Sequence, residues 1–170
     1  MKKKILVLLE DMVEDSEFLY PYYRLKEEGF DVVSAGPVQK TYQGKGGMKF
    51  KPDWSFDEVS TETYDAIVIP GGYAPDRWRR DSAIIDFVKK HYDEGKLIAS
   101  ICHGPWLLIS AGIVKGKRVT AFHAIKDDLI NAGAIYEGKD TEEDGNLLTS
   151  TNPQTMLPMM KRLVERLHGA

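Results

Sequence analysis

Apolar residues in this chain tend to run together rather than alternate with polar ones. Residues 5–9 (ILVLL), 66–69 (AIVI) and 97–101 (LIASI) are nearly unbroken runs of this kind, the pattern of strands buried on both faces of a parallel sheet. Residues 30–34, 117–122 and 147–150 read as three more strands. Between them the spacing is helical. Phe18, Leu19, Tyr22, Tyr23 and Leu25 form one stripe, with Asp15 or Ser16 to cap the helix and Gly29 to stop it. Asp81 or Ser82 caps a second helix carrying Ile84, Ile85, Phe87, Val88 and His91, with His91 expected to face solvent or a partner. Residues 125–131 give a short helix ended by Gly133. A C-terminal helix over 154–167 places Met156, Met159, Met160, Leu163, Val164 and Leu167 on its apolar face. Residues 39–58, polar and glycine-bearing, read as a hairpin excursion, and 137–146 (EGKDTEEDGN) as a solvated acidic loop. Strands and helices alternating in this way predict an α/β fold. It is a doubly wound, mostly parallel sheet with helices on both faces, a flavodoxin-like sandwich forming one domain over 1–170. Ligands bind such sheets at the carboxyl ends of the strands.

One of those carboxyl ends carries the only cysteine. In residues 96–112 (KLIASICHGPWLLISAG) a strand runs into Cys102 and His103, then Gly104-Pro105 opens a helix that Ala111-Gly112 closes. A strand, one reactive residue in a sharp turn, then a helix is the layout of a nucleophile elbow. It sets a thiol at a helix N-terminus, which is expected to favour the thiolate.

The length of 170 residues suits one domain, enough to bury roughly two-thirds of the unfolded surface. The chain is 42% hydrophobic and 29% charged, with a net charge of -3, so no basic excess points to nucleic acid. One cysteine excludes an internal disulfide and fits an intracellular, cytoplasmic protein. The apolar run after Lys2-Lys3-Lys4 meets Glu10 and Asp11 too soon for a signal peptide or a membrane span. His91, His103, His123 and His168 lack metal-ligand spacing, and neither metal nor cofactor is expected.

To be a catalyst the elbow needs a group to manage the thiol proton, donors for an oxyanion and a pocket. Glu14 or Glu10 follows the first strand and lies in reach of Cys102, with Asp11 and Asp15 as weaker candidates. The backbone N–H groups of Gly72, from Pro70-Gly71-Gly72 after the third strand, and of His103 suit an oxyanion hole. Two classes of function are open: a cysteine-dependent enzyme, or a non-catalytic oxidant sensor or chaperone using the same exposed thiol. A glutaminase subunit is disfavoured, because the late stretch Thr149-Ser150-Thr151-Asn152-Pro153 has no His-x-Glu pair.

The chain resembles the PfpI-type intracellular proteases of the ThiJ/PfpI superfamily, within the class I glutamine amidotransferase-like fold. The resemblance rests on Glu14-Asp15, on Tyr20-Pro21-Tyr22 with Arg24 to Gly29, on Pro70-Gly71-Gly72 with Ala74-Pro75-Asp76, and on Ser100 to Pro105 with Ile109 to Gly112. Ile125 to Asp128 with Asn131-Ala132-Gly133 completes it. It implies Cys102 as nucleophile, Glu14 as the carboxyl group against its sulfur, and the Gly72 and His103 N–H groups as the oxyanion hole. It also implies a homo-oligomer, a dimer or trimer of dimers, in which Asp76 of a neighbouring subunit completes a triad with Cys102 and His103. Relatives commonly have Glu at that position, and Tyr-Pro where this chain has Phe122-His123. Tyr73, Trp106, Phe122 and His123 are assigned to substrate binding. The activities implied are cleavage of peptides, removal of sugar or aldehyde adducts, and conversion of methylglyoxal to lactate, all without a cofactor.

Overall fold

The computed structural model describes residues 1–169. In chain order the elements are β1 (Lys4–Leu8), α1 (Asp15–Glu27), β2 (Asp31–Gly36), β3 (Tyr42–Gln43), β4 (Lys49–Phe50), β5 (Trp54–Ser55), α2 (Phe56–Val59) and β6 (Ala66–Ile69). There follow α3 (Ala74–Trp78), α4 (Ser82–Asp93), β7 (Leu97–Ile101), α5 (Pro105–Ser110), a 3-10 turn (His123–Ile125), α6 (Lys126–Asn131), β8 (Thr141–Asp144), β9 (Leu147–Ser150) and α7 (Met156–Leu167). The sheet order is β5-β2-β1-β6-β7-β9-β8, parallel throughout except for β8, while β3 and β4 make a separate hairpin. This is the doubly wound sandwich the apolar runs predict.

The chain moves from β1 outward to β2 and from β6 outward to β7, in opposite directions. Right-handed crossovers therefore put α1 and α4 on opposite faces. α7 packs against α1, and α3, α4 and α5 pack together. Every residue of β6, β7 and β9 is buried, which explains the nearly unbroken apolar runs of the first two. The strand order reverses between β1 and β6, and the crevice above that point is where such sheets bind ligands. Among the described residues no helix is long and apolar enough to cross a membrane.

Four expectations are corrected. His91 faces neither solvent nor a partner: it is 0% exposed, with Nδ1 2.8 Å from the Phe87 carbonyl and Nε2 accepting the Tyr64 N–H at 3.1 Å. Residues 117–122 are extended but form no strand, because they meet only a single bridge, Arg118 with Ile135. The acidic stretch contains the edge strand β8, paired antiparallel to β9. Glu143 of β8 binds Arg162 and Arg166 of α7, and such charges blunt an edge against further pairing. Finally, neither Asp15 nor Ser16 caps α1, whose N-cap is Glu14. The Asp15 carboxylate instead accepts the N–H groups of Gly46 and Met48 in the β3–β4 turn.

Candidate active site

β7 delivers Cys102 into the crevice with φ +60°, a left-handed conformation that costs a non-glycine residue about 1–3 kcal/mol. Two hydrogen bonds hold it there. Its N–H donates to the Ser150 carbonyl of β9 at 2.9 Å, and its carbonyl accepts the Phe122 N–H at 2.9 Å. The strain aims the side chain off the end of the sheet instead of along it. The turn after β6 approaches from the other side, where Gly72 (φ +75°) bridges to Val13 and leaves no room for a Cβ beside Met12 and Glu14.

The carboxyl group beside the thiol is that of Glu17, not Glu14. A Cβ built on Gly71 would stand 2.6 Å from Glu17 Oε1 and 2.9 Å from Cys102 Cβ, so one glycine is all that separates the two side chains. Glu17 is 0% exposed; Oε1 accepts the Gly71 N–H at 2.8 Å, and Oε2 is buried without a partner. Burial pushes its pKa up to about 8. Glu14, at the N-cap, lines the mouth of the same cavity, part-exposed, and pairs with Lys45 at 3.1 Å rather than standing against the sulfur. The helical phase explains the exchange. Glu17 stands one and two turns before the buried Pro21 and Leu25, on the inner row of α1.

Burial, together with the Glu17 carboxylate, pushes the Cys102 thiol up to about 12, opposite to the helix-terminus expectation. α5 is only six residues long and begins three residues beyond the sulfur, so its dipole does not offset the loss of water. Once Glu17 carries its proton, its repulsion of the sulfur disappears. His103 Nδ1 lies 3.3 Å from Sγ, and burial lowers the pKa of that imidazole. The His103 backbone N–H lies against the sulfur and favours its charged form. Among the described residues, neither this N–H nor that of Gly72 donates to a backbone oxygen.

These groups open onto a cavity of about 370 Å³ whose walls include Tyr73 and Phe122, as expected, and also Lys45, Asn152 and Pro153. Trp106 and His123 are not wall residues. The Trp106 ring supports His103 from behind, 5.1 Å between centroids, with Nε1 donating to Asp128 at 2.9 Å. His123 is exposed and touches the pocket only through the Phe122 ring, 4.4 Å away. Asp76 does not meet His103 within the chain; it sits on the surface of α3, paired with Arg80. Glu10 is buried but stays outside the pocket, accepting the Asp11 N–H. Two wall residues, Lys45 and Asn152, carry no local sequence signal, since each arrives from a turn far from Cys102 in the chain.

Known proteins resemble this chain over nearly its whole length. The chain is 43% identical over 164 residues to deglycase PYRAB04690 of Pyrococcus abyssi, covering 96% of this chain and 99% of that one. It superimposes with a TM-score of 0.94 on a two-domain protein from Anabaena variabilis containing DJ-1/ThiJ/PfpI-like and ferritin-like domains, at 41% identity. That match covers 98% of this chain and 48% of the other, so the chain spans about half the length of that protein. Drosophila melanogaster DJ-1beta gives a TM-score of 0.94 at 30% identity, covering 100% of this chain and 92% of that one. With the family model matching residues 3–166, the chain belongs to the DJ-1/PfpI family.

Proposed function

We propose that the chain is a cysteine-dependent hydrolase that removes carbonyl-derived adducts from amino groups, with Cys102 as its nucleophile. The observation that carries the reading is the grouping of a strained thiol, a buried carboxyl and an imidazole 3.3 Å from Sγ around one cavity. The deglycase relative supports the substrate class. At neutral pH Glu17 keeps its proton and His103 is uncharged, so His103 can take the thiol proton while Glu17 offers an O–H to the sulfur. The sulfur then bonds to the electrophilic carbon. Charge that moves onto oxygen meets the Gly72 and His103 N–H groups. The C–N bond breaks and the amine leaves with the proton held by His103. The hydrogen on the sulfur-bearing carbon then moves to the neighbouring carbonyl carbon through an enediolate, which gives a lactoyl thioester, and water hydrolyses that thioester to lactate and the free thiol. Every step uses groups of the protein and water.

The cavity volume favours small substrates over extended peptides, since about 370 Å³ lies near the lower end of ligand pockets. It therefore also supports conversion of methylglyoxal to lactate, which starts with the same attack. A homo-oligomer belongs to the reading: Asp76 reaches His103 only from a second copy, so that copy would complete the triad. The decisive experiment measures lactate and free amine released from a methylglyoxal-treated amino acid without added cofactor. Wild type is expected to release both and Cys102→Ser at least 1000-fold less; equal release by the two proteins sinks the reading. A fluorogenic peptide cleaved faster than the adduct would return the protease reading to first place.

A further inference from the structure

Lys45 stands in the wall of the Cys102 cavity although it belongs to the turn of the β3–β4 hairpin, outside the central sheet. Asp15 puts it there. Its buried carboxylate accepts the N–H groups of Gly46 and Met48, and the turn wraps it so closely that a Cβ on Gly44 or Gly46 would come within 2.0 and 2.5 Å of its oxygens. The Lys45 N–H donates to the Val13 carbonyl at 2.8 Å, which fixes the backbone on the other side. The ammonium lies 3.1 Å from Glu14 Oε2 and 5.6 Å from the centre of the Tyr73 ring. Both members of that ion pair are partly exposed, and such a pair holds by about 1 kcal/mol at most, so a ligand anion can displace Glu14. Asn152 faces this arrangement from the β9 side of Cys102. Its Oδ1 is taken by the Thr155 N–H at 3.0 Å, leaving the amide NH₂ as its donor.

We propose that Lys45, positioned by Asp15 and joined by Asn152, makes a carboxylate subsite in the Cys102 cavity. Building on the hydrolase reading, the preferred substrates are then adducts on the α-amino group of small molecules with a free carboxylate, rather than adducts on lysines within a folded protein. The same chemistry would hold the carboxylate of a 2-hydroxy acid product.

The test compares the rates at which iodoacetate and iodoacetamide alkylate Cys102. Both reagents need the same thiolate, so their ratio is insensitive to its reactivity and reports recognition of the carboxylate alone. The iodoacetate to iodoacetamide ratio is expected to fall at least 10-fold in Lys45→Met, to fall comparably in Asp15→Asn, and to survive in Lys45→Arg. N-acetylglycine and lactate, added separately, are expected to slow alkylation by iodoacetamide saturably, whereas N-acetylglycinamide does not. Protection by N-acetylglycine alone assigns the subsite to substrate, and protection by lactate alone assigns it to product. A ratio unchanged in Lys45→Met, or equal protection by the amide, overturns the proposal. Because none of these readouts requires turnover, the subsite can stand if the hydrolase reading falls, and the reverse also holds.

Discussion

The two ends of the central sheet each bury a titratable side chain completely, and they treat it in opposite ways. At the amino end, His91 of α4 has both ring nitrogens engaged, one at the Phe87 carbonyl and one at the Tyr64 N–H, among the rings of Phe87 and Tyr64. At the carboxyl end, Glu17 has one oxygen engaged and one buried without a partner. The hydroxyls of Ser100, two residues before Cys102 in β7, and of Ser150 on the adjacent β9 are likewise buried and unpartnered, and the backbone of Cys102 itself is strained. A satisfied group holds the fold in place. An unsatisfied one is held by the fold, and its unused bonding capacity is what a reacting molecule can use.

Four changes would break or sharpen that contrast. The largest effect is expected from Glu17→Leu: Cys102 alkylation by iodoacetamide at neutral pH slows about 100-fold, while stability changes by less than about 1 kcal/mol in urea unfolding, because removing a buried carboxyl offsets the orphaned Gly71 N–H. Alkylation at the wild-type rate would show that Glu17 does not serve the sulfur. His91→Leu should do the reverse, costing about 2–3 kcal/mol in urea unfolding by orphaning the Tyr64 N–H, with Cys102 reactivity per folded molecule unchanged.

Titration gives the third change, with opposite signs at the two ends. Burial raises Glu17 from 4.5 to about 8, so the native state keeps a proton that the unfolded chain loses, and this contribution to stability declines as pH rises through that window. Burial lowers His91 below 6.5, so its contribution is present above that value and lost as pH falls beneath it. Urea unfolding across pH 5 to 8 should show a weaker first slope in Glu17→Gln and a weaker second slope in His91→Leu, where His103, also lowered by burial, carries the remainder; a slope unchanged in its variant refutes the assignment. The smallest effect belongs to Asp76→Ala, which removes an exposed pair to Arg80 and should shift stability by under about 0.5 kcal/mol. Its activity should drop only where a second copy supplies the residue, which mixing it with Cys102→Ser chains would reveal as partial recovery.

What could be read from the sequence followed burial. β6, β7 and β9 are legible to the residue because both faces of each strand are covered, so that no charged residue falls within them. β8 was invisible: an edge strand reading Thr-Glu-Glu-Asp is patterned by ion pairs to α7 and looks like a loop. The elbow was legible because strand, Cys-His-Gly-Pro and helix lie in one contiguous stretch. Its carboxyl partner was misassigned by three residues, since Glu14 and Glu17 differ only in helical phase, and the inner row of Pro21 and Leu25 was the signal that separates them. Lys45 has no signal of its own, because Asp15 acts across a loop on backbone N–H groups, and only Gly44 and Gly46, which leave room for its carboxylate, mark the turn.

The bond from the Cys102 N–H to the Ser150 carbonyl ties the elbow to a strand that leaves the ribosome well after it. Until β9 has been synthesised and has paired with β7, the nascent chain lacks the acceptor that holds this residue in its left-handed turn. A growing chain thus carries Cys102 in an unstrained turn, and the strained one forms only once β9 has paired with β7.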